Sequence, residues 1–218
     1  MAAMSLAFSL RTEGMHRVPS TGPLLVISNH QSNLDPILIG LAARRPLRYL
    51  SKKALFDHPL FAWYIRCFRA IPVDQEGIGI EGLRLILQQL KAKRAVMVFP
   101  EGERTPNGRM QPLKPGIHLL IKRSPAPILP MGIAGAFHAW PRWRWFPKPA
   151  PLFLPAGAGA IAVSVGEPLD PSPYAAMPRA RALAELREVL ETMHQRAERL
   201  RRQPRQEGIR NESSVHPS

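Results

Sequence analysis

LLVISNHQSNLDP, Leu24 to Pro36, reads as a strand joined to a helix by a short polar loop. Leu24-Leu25-Val26-Ile27 is an unbroken apolar run of the kind that forms a buried strand. Asp35-Pro36 pairs an N-cap acid with a proline at the first helical position, and Ile37-Leu38-Ile39 open an apolar helix. Asn29, His30 and Asp35 lie between the two elements, where a strand end feeds a helix start. That is where α/β proteins place their chemistry.

His30 and Asp35 make chemical sense together. A neutral imidazole takes a proton from a hydroxyl near pH 7. It does so better when a carboxylate holds its other nitrogen, fixes the tautomer and stabilises the imidazolium that forms. The nucleophile is left open: no G-x-S-x-G elbow occurs in the chain, so the activated hydroxyl can belong to a substrate. Alone, a His followed five residues later by an Asp is a weak motif. A capping Asp35 beside a surface His30 reads as well.

The 218 residues suit one domain with a substantial core. A formal charge of +14, mostly from Arg, favours anionic partners: acidic lipid, nucleic acid or a phosphorylated substrate. The single Cys67 excludes an intramolecular disulfide and a Cys-based metal site, which fits a reducing cytoplasm. MAAMSLAFSLR at the start is too short to span a bilayer and lacks the lead-in of a secretory signal. It reads either as an interfacial helix or as a terminus docked on the core. Pro149 to Gly166 carries no charge, but its prolines and glycines argue for a loop followed by a strand at Ile161 to Val165.

Along the rest of the chain, Arg48-Tyr49-Leu50-Ser51 predicts a second strand with Lys52 and Lys53 at its end. Leu60 to Phe68 predicts a short aromatic helix. Ala70 to Val73 predicts a strand, placed at an edge or a strand end by Pro72. Ile80, Leu83, Leu87 and Leu90 mark one face of a helix. Ala95 to Phe99 is the strongest strand signal, apolar throughout as a central strand should be. Pro100-Glu101-Gly102-Glu103-Arg104-Thr105 follows it directly. Charges at the mouth of a buried strand are costly without a role, and a rigid Pro-Glu-Gly turn would aim Arg104 at a fixed point. Lys114-Pro115-Gly116 starts a further helix, and Pro127 to Gly132 is a strand bounded by prolines. AWPRWRWFPK, Ala139 to Lys148, mixes Trp with cations, which suits an anionic headgroup layer, stacking on single-stranded nucleic acid, or Arg–Trp stacking within a loop. Pro178 to Arg202 predicts an amphipathic helix with Leu183, Leu186, Val189, Leu190, Met193, Ala197 and Leu200 on one face. Residues 1–23 read as a lead-in, 24–203 as the domain and 204–218 as a disordered tail.

With both polar loops in view, the chain resembles the glycerophospholipid acyltransferase family typified by 1-acylglycerol-3-phosphate acyltransferases. The family's first motif, N-H-x-S-x-x-D, is matched by Asn29, His30, Ser32 and Asp35. Its third, F-P-E-G-T-R-S, is matched by Phe99-Pro100-Glu101-Gly102-Glu103-Arg104-Thr105, and its fourth, a proline in an apolar strand, by Ile128-Leu129-Pro130-Met131. The likeness covers roughly residues 18 to 170. The second motif departs: Arg69-Ala70-Ile71-Pro72-Val73-Asp74-Gln75 lacks the usual glycine and terminal Arg, which opens the acceptor's identity. Ala54 also stands where a Glu often follows the Lys pair.

The resemblance implies a single α/β domain with a mixed, mostly parallel sheet flanked by helices. It implies transfer of an acyl group from acyl-CoA or acyl carrier protein to a lysophospholipid hydroxyl, most readily that of 1-acylglycerol-3-phosphate, with no metal or redox cofactor. His30 is then the general base and Asp35 its orienting partner. Asn29 holds the loop or polarises the carbonyl. Arg104 grips an acceptor phosphate, Glu101 and Gly102 shape its turn, and Lys52 is a second cation. The enzyme is expected at the cytoplasmic face of an anionic membrane, peripheral or monotopic, without nucleic acid. The rivals are the same chemistry on another lysolipid, such as a lyso-ornithine lipid, and a non-enzymatic basic adaptor.

Overall fold

The computed structural model describes residues 9–53, 57, 69–73, 79–144, 148 and 160–203. The expected helix at Leu60–Phe68, the departures at Ala54 and Gln75, Cys67, most of the uncharged stretch after Pro149 and the tail lie outside the described residues. The elements are β1 (Arg11–Glu13), a 3-10 turn (Met15–Arg17), β2 (Leu24–Ser28), α1 (Asp35–Ala43), β3 (Leu47–Lys52), β4 (Ala70–Val73) and α2 (Ile80–Lys91). There follow β5 (Ala95–Val98), α3 (Gly116–Arg123), β6 (Ile128–Ala134), α4 (Ala136–Ala139), β7 (Ala162–Val165), α5 (Pro171–Ala176) and α6 (Arg179–Arg202).

The strands form one seven-stranded sheet in the order β1-β7-β6-β2-β5-β3-β4. Every pairing is parallel except β6 with β7. Pro72 sits in β4, at the edge of the sheet, where a residue without an N–H is tolerated. Although the sequence reading begins the domain at Leu24, the opposite edge comes from residues 11–13, paired with β7.

The apolar runs segregate by the two-residue period of a strand. Leu24 and Val26 of β2 face a cluster with α1 side chains Leu38, Ile39 and Ala42. Leu25 and Ile27 face the other layer, with Leu83, Ile86 and Leu90 of α2, Ile117 and Leu120 of α3, and Leu186 and Leu190 of α6. β2 and β5 are therefore buried on both faces, as their unbroken apolar sequences require. One detail differs from the periodicity: Ile80 is 90% exposed, because it opens α2 ahead of the turn where Leu83 first meets the core.

α6 lies across β6 and β7 at very close range. A Cβ on Gly132 would stand 2.1 Å from the carbonyl carbon of Met193, so only glycine lets the helix backbone rest on this strand. The parallel strands β2, β5 and β3 end on the same side of the sheet, and both polar loops emerge from the C-terminal ends of β2 and β5.

Candidate active site

Asp35 opens α1, but Leu34 occupies the cap position, so the expected forward capping by Asp35 is not what forms. Its carboxylate turns back over the loop instead. Oδ2 accepts from the amides of Gln31 (2.5 Å) and Ser32 (2.7 Å) and from His30 Nδ1 (2.8 Å). The first turn of a helix favours this negative charge, and the loop amides supply the hydrogen bonds that a fully buried carboxylate needs. Oδ1 has no partner among the described residues.

A carboxylate only accepts, so His30 Nδ1 carries the proton and Nε2 keeps its lone pair. The ring stacks on Phe99, centroids 3.9 Å apart and planes 9° apart, which leaves it little rotational freedom. Its side chain is 17% exposed: sheltered, yet reachable from outside.

The loop after β5 is bound to the loop after β2. Glu101 is buried, and its two carboxylate oxygens each take a backbone amide, Oε1 from His30 and Oε2 from Gln111, both at 2.6 Å. Burial pushes the Glu101 carboxyl up to about 7. The amides of Gln111 and His30 pull the other way, the charge of Asp35 adds to the rise, and Arg187 of α6 opposes it. Gly102 (φ +80°) closes the turn with its amide on the Phe99 carbonyl (3.0 Å), a conformation glycine adopts without strain. The Thr105 amide donates to the His30 carbonyl at 2.9 Å, so half-buried Arg104 is one peptide away from a direct backbone bond to the base.

Asn29, expected to hold the loop or to polarise the carbonyl, has both of its side-chain polar atoms on the Ile133 peptide groups. Its Oδ1 accepts from the Ile133 amide (2.8 Å) and its Nδ2 donates to the Ile133 carbonyl (2.9 Å), so the side chain extends the β2–β6 ladder by one rung. His194 of α6 reaches the same carbonyl through Nδ1 at 2.8 Å. Lys52 ends β3 opposite Val73, and its side chain lies outside the described residues.

The rim is completed by the segment after β6. Ser32 Oγ donates to the Trp140 carbonyl (2.9 Å), and Glu103 meets Arg142 at 3.9 Å. Thus His30, Asp35, Asn29, Glu101, Gly102 and the backbone of Arg104 gather beyond the C-terminal ends of the central strands β2 and β5. Among the described residues, no three His, Cys, Asp or Glu side chains gather as a metal set.

The sequence matches the Acyltransferase family model over residues 9–134, more than half its length. The chain belongs to the acyltransferase family. It is similar to the 1-acyl-sn-glycerol-3-phosphate acyltransferase of Bacillus subtilis (strain 168), 24% identical over 86% of this chain and 87% of that one. It is also similar to the chloroplastic enzyme BAT2 of Brassica napus, 28% identical over 56% of this chain; that match spans only 36% of the relative's length. The crystal structure of the 1-acyl-sn-glycerophosphate (LPA) acyltransferase PlsC from Thermotoga maritima superposes with a TM-score of 0.70 at 26% identity, covering 90% of this chain and 74% of that one. The α/β acyltransferase fold implied by the motifs is therefore the one observed.

Several contributors to the candidate site escape sequence reading. Phe99 opens the third motif and reads as the last apolar residue of a strand, but neither says that its ring is the floor under His30. Gln111 and Ile133 act through their backbones, which no residue-type pattern reports. Trp140 stands out by composition, but its link to Ser32 is also made by a peptide carbonyl.

Proposed function

We propose that this protein transfers a fatty acyl group from acyl-CoA or acyl carrier protein to the hydroxyl of a lysophospholipid, with 1-acylglycerol-3-phosphate as the leading acceptor. The observation that carries the reading is the His30–Asp35 pair, with Nδ1 committed to a buried carboxylate and Nε2 left as the base. Nε2 takes the acceptor's proton as its oxygen attacks the thioester carbonyl. The new C–O bond forms, the C–S bond breaks, and the proton passes from the imidazolium to the departing thiolate. Asp35 stabilises the cation while it lasts. Arg104 supplies a guanidinium for the acceptor phosphate, Lys52 a second cation, and Glu101 holds the base loop in place.

The acceptor stays in the lipid layer in this reading, and the enzyme works peripherally at the cytoplasmic face of an anionic membrane. No helix among the described residues is long and apolar enough to cross a bilayer. The names of the relatives favour lysophosphatidate, whereas Gln75 in place of the family's Arg favours testing other lysolipids. A basic adaptor needs the charge of +14 but has no use for a reachable His held by a buried Asp.

Thiol release from acyl-CoA, followed across a panel of lysolipids with the wild type and His30→Ala, tests the reading. The expected result is acceptor-dependent release that drops ~10²–10⁴-fold in the variant. Equal rates in both would remove His30 as the base.

A further inference from the structure

Trp140 and Trp143 lie in one short segment and have opposite fates. Trp140 packs against the core, and its Nε1 donates to the Arg144 carbonyl at 2.8 Å. Trp143 is 63% exposed and touches the rest of the protein edge-on, through Phe137 at 5.4 Å. Arg142, Arg144 and Lys148 around it are exposed, and half-exposed Glu103 lies 3.9 Å from Arg142. An indole left in water beside several cations matches the polar–apolar boundary of an anionic bilayer: the ring suits the interface and the cations suit the lipid phosphates.

The attachment of this segment adds a second observation. Its carbonyl at Trp140 holds Ser32 Oγ, and its amide at Phe137 meets Gln31 Oε1 at 3.4 Å. Gln31 and Ser32 are also the two residues whose amides hold Asp35 Oδ2. The side chains that grip the segment and the amides that position the catalytic carboxylate thus belong to the same two residues.

We propose that residues 136–144 form a docking strap that seats Trp143 and its neighbouring arginines in an anionic lipid surface and, through Gln31 and Ser32, couples that seating to the His30–Asp35 geometry. The coupling rests on the acyl-transfer reading; the docking does not. The strap lies on the rim of the site, so docking also faces the base loop toward a membrane-borne acceptor.

Two measurements test the proposal. Flotation with phosphatidylcholine vesicles, with and without phosphatidylglycerol, reads docking independently of turnover. Trp143→Ala should lower partitioning to the anionic vesicles about ten-fold. Arg142→Ala and Arg144→Ala should each lower it about five-fold, with binding weakening as salt rises. Undiminished partitioning of Trp143→Ala, or retention of the wild type by single-stranded oligonucleotide but not by vesicles, overturns the docking. The second measurement is the ratio of turnover on a vesicle-borne lysolipid to turnover on a short-chain, monomeric one. Trp143→Ala should lower this ratio, and Ser32→Ala should lower it while still floating with the vesicles. A wild-type ratio in either variant overturns the coupling. A wild type that turns over no acceptor overturns the acyl-transfer reading and the coupling with it, while flotation still decides the docking.

Discussion

Glu101 ties the two polar loops together, and its raised carboxyl gives that tie a pH signature. The group moves from an ordinary 4.5 to about 7 in the folded protein. Between those values the unfolded chain has lost the proton and the folded chain retains it, so rising pH favours unfolding. The contribution of Glu101 to stability is fully present below pH 4.5 and is lost as the pH climbs through 7. Between pH 5 and pH 8 the loss amounts to roughly 2–3 kcal/mol. Glu101→Gln cannot titrate. It also turns an NH₂ toward one of the two amides that the carboxylate now accepts from, at a cost of about 1–3 kcal/mol at any pH. Urea titrations of both proteins at pH 5 and pH 8 separate the two effects, because other titrating groups cancel in the difference. Wild type should exceed the variant most at pH 5, and its lead should shrink by roughly 2–3 kcal/mol at pH 8, or about 5–10 °C in Tm. A constant gap would show that Glu101 stays ionised throughout and that its two amide bonds outweigh its burial.

Asp35→Asn can place its single oxygen where Oδ2 now takes all three donors, so the tautomer of His30 survives, while the charge is lost and the NH₂ takes the buried, partnerless place of Oδ1. kcat should fall about 10²-fold with KM little changed, and an unaltered kcat would show that the carboxylate charge is idle. Asn29→Ala removes both bonds to Ile133 and should destabilise by about 1–3 kcal/mol in thermal melts, with kcat falling further than the stability loss explains. Gly132→Ala pushes a methyl into the α6 backbone and should cost about 3 kcal/mol, so an unchanged Tm would mean the helix sits farther out. Arg104→Ala should raise KM for phosphate-bearing acceptors far more than for neutral ones, and equal KM changes for both would take the guanidinium out of phosphate binding.

Much of this architecture is legible in the sequence because local pattern and global fold agree. The apolar runs at Leu24 and Ala95 become the two buried neighbouring strands, and the polar residues directly after each become the site. Ile80 and Asp35 mark where pattern alone falls short. Apolar spacing cannot say where along a helix burial begins. An Asp before Pro looks like a cap until the loop behind it offers better donors. β1 is too short and too polar to announce itself, and its place is set by β7 about 150 positions later. The contacts hardest to foresee run through peptide groups, Ile133 to Asn29 and Gln111 to Glu101, since a backbone amide has no residue type.

The rung between Asn29 and Ile133 has a consequence for biosynthesis. β6 offers that peptide from a strand whose far side is covered by α6, with His194 on the same carbonyl and no room for a methyl at Gly132. On the ribosome, His30 and Asp35 emerge early and Met193 late. A nascent chain that already carries both signature loops but not α6 leaves one face of β6 bare, the strand to which Asn29 is bonded. A chain cut short before Met193 would thus display both motifs while the strand that holds Asn29 lacks the helix that rests on Gly132.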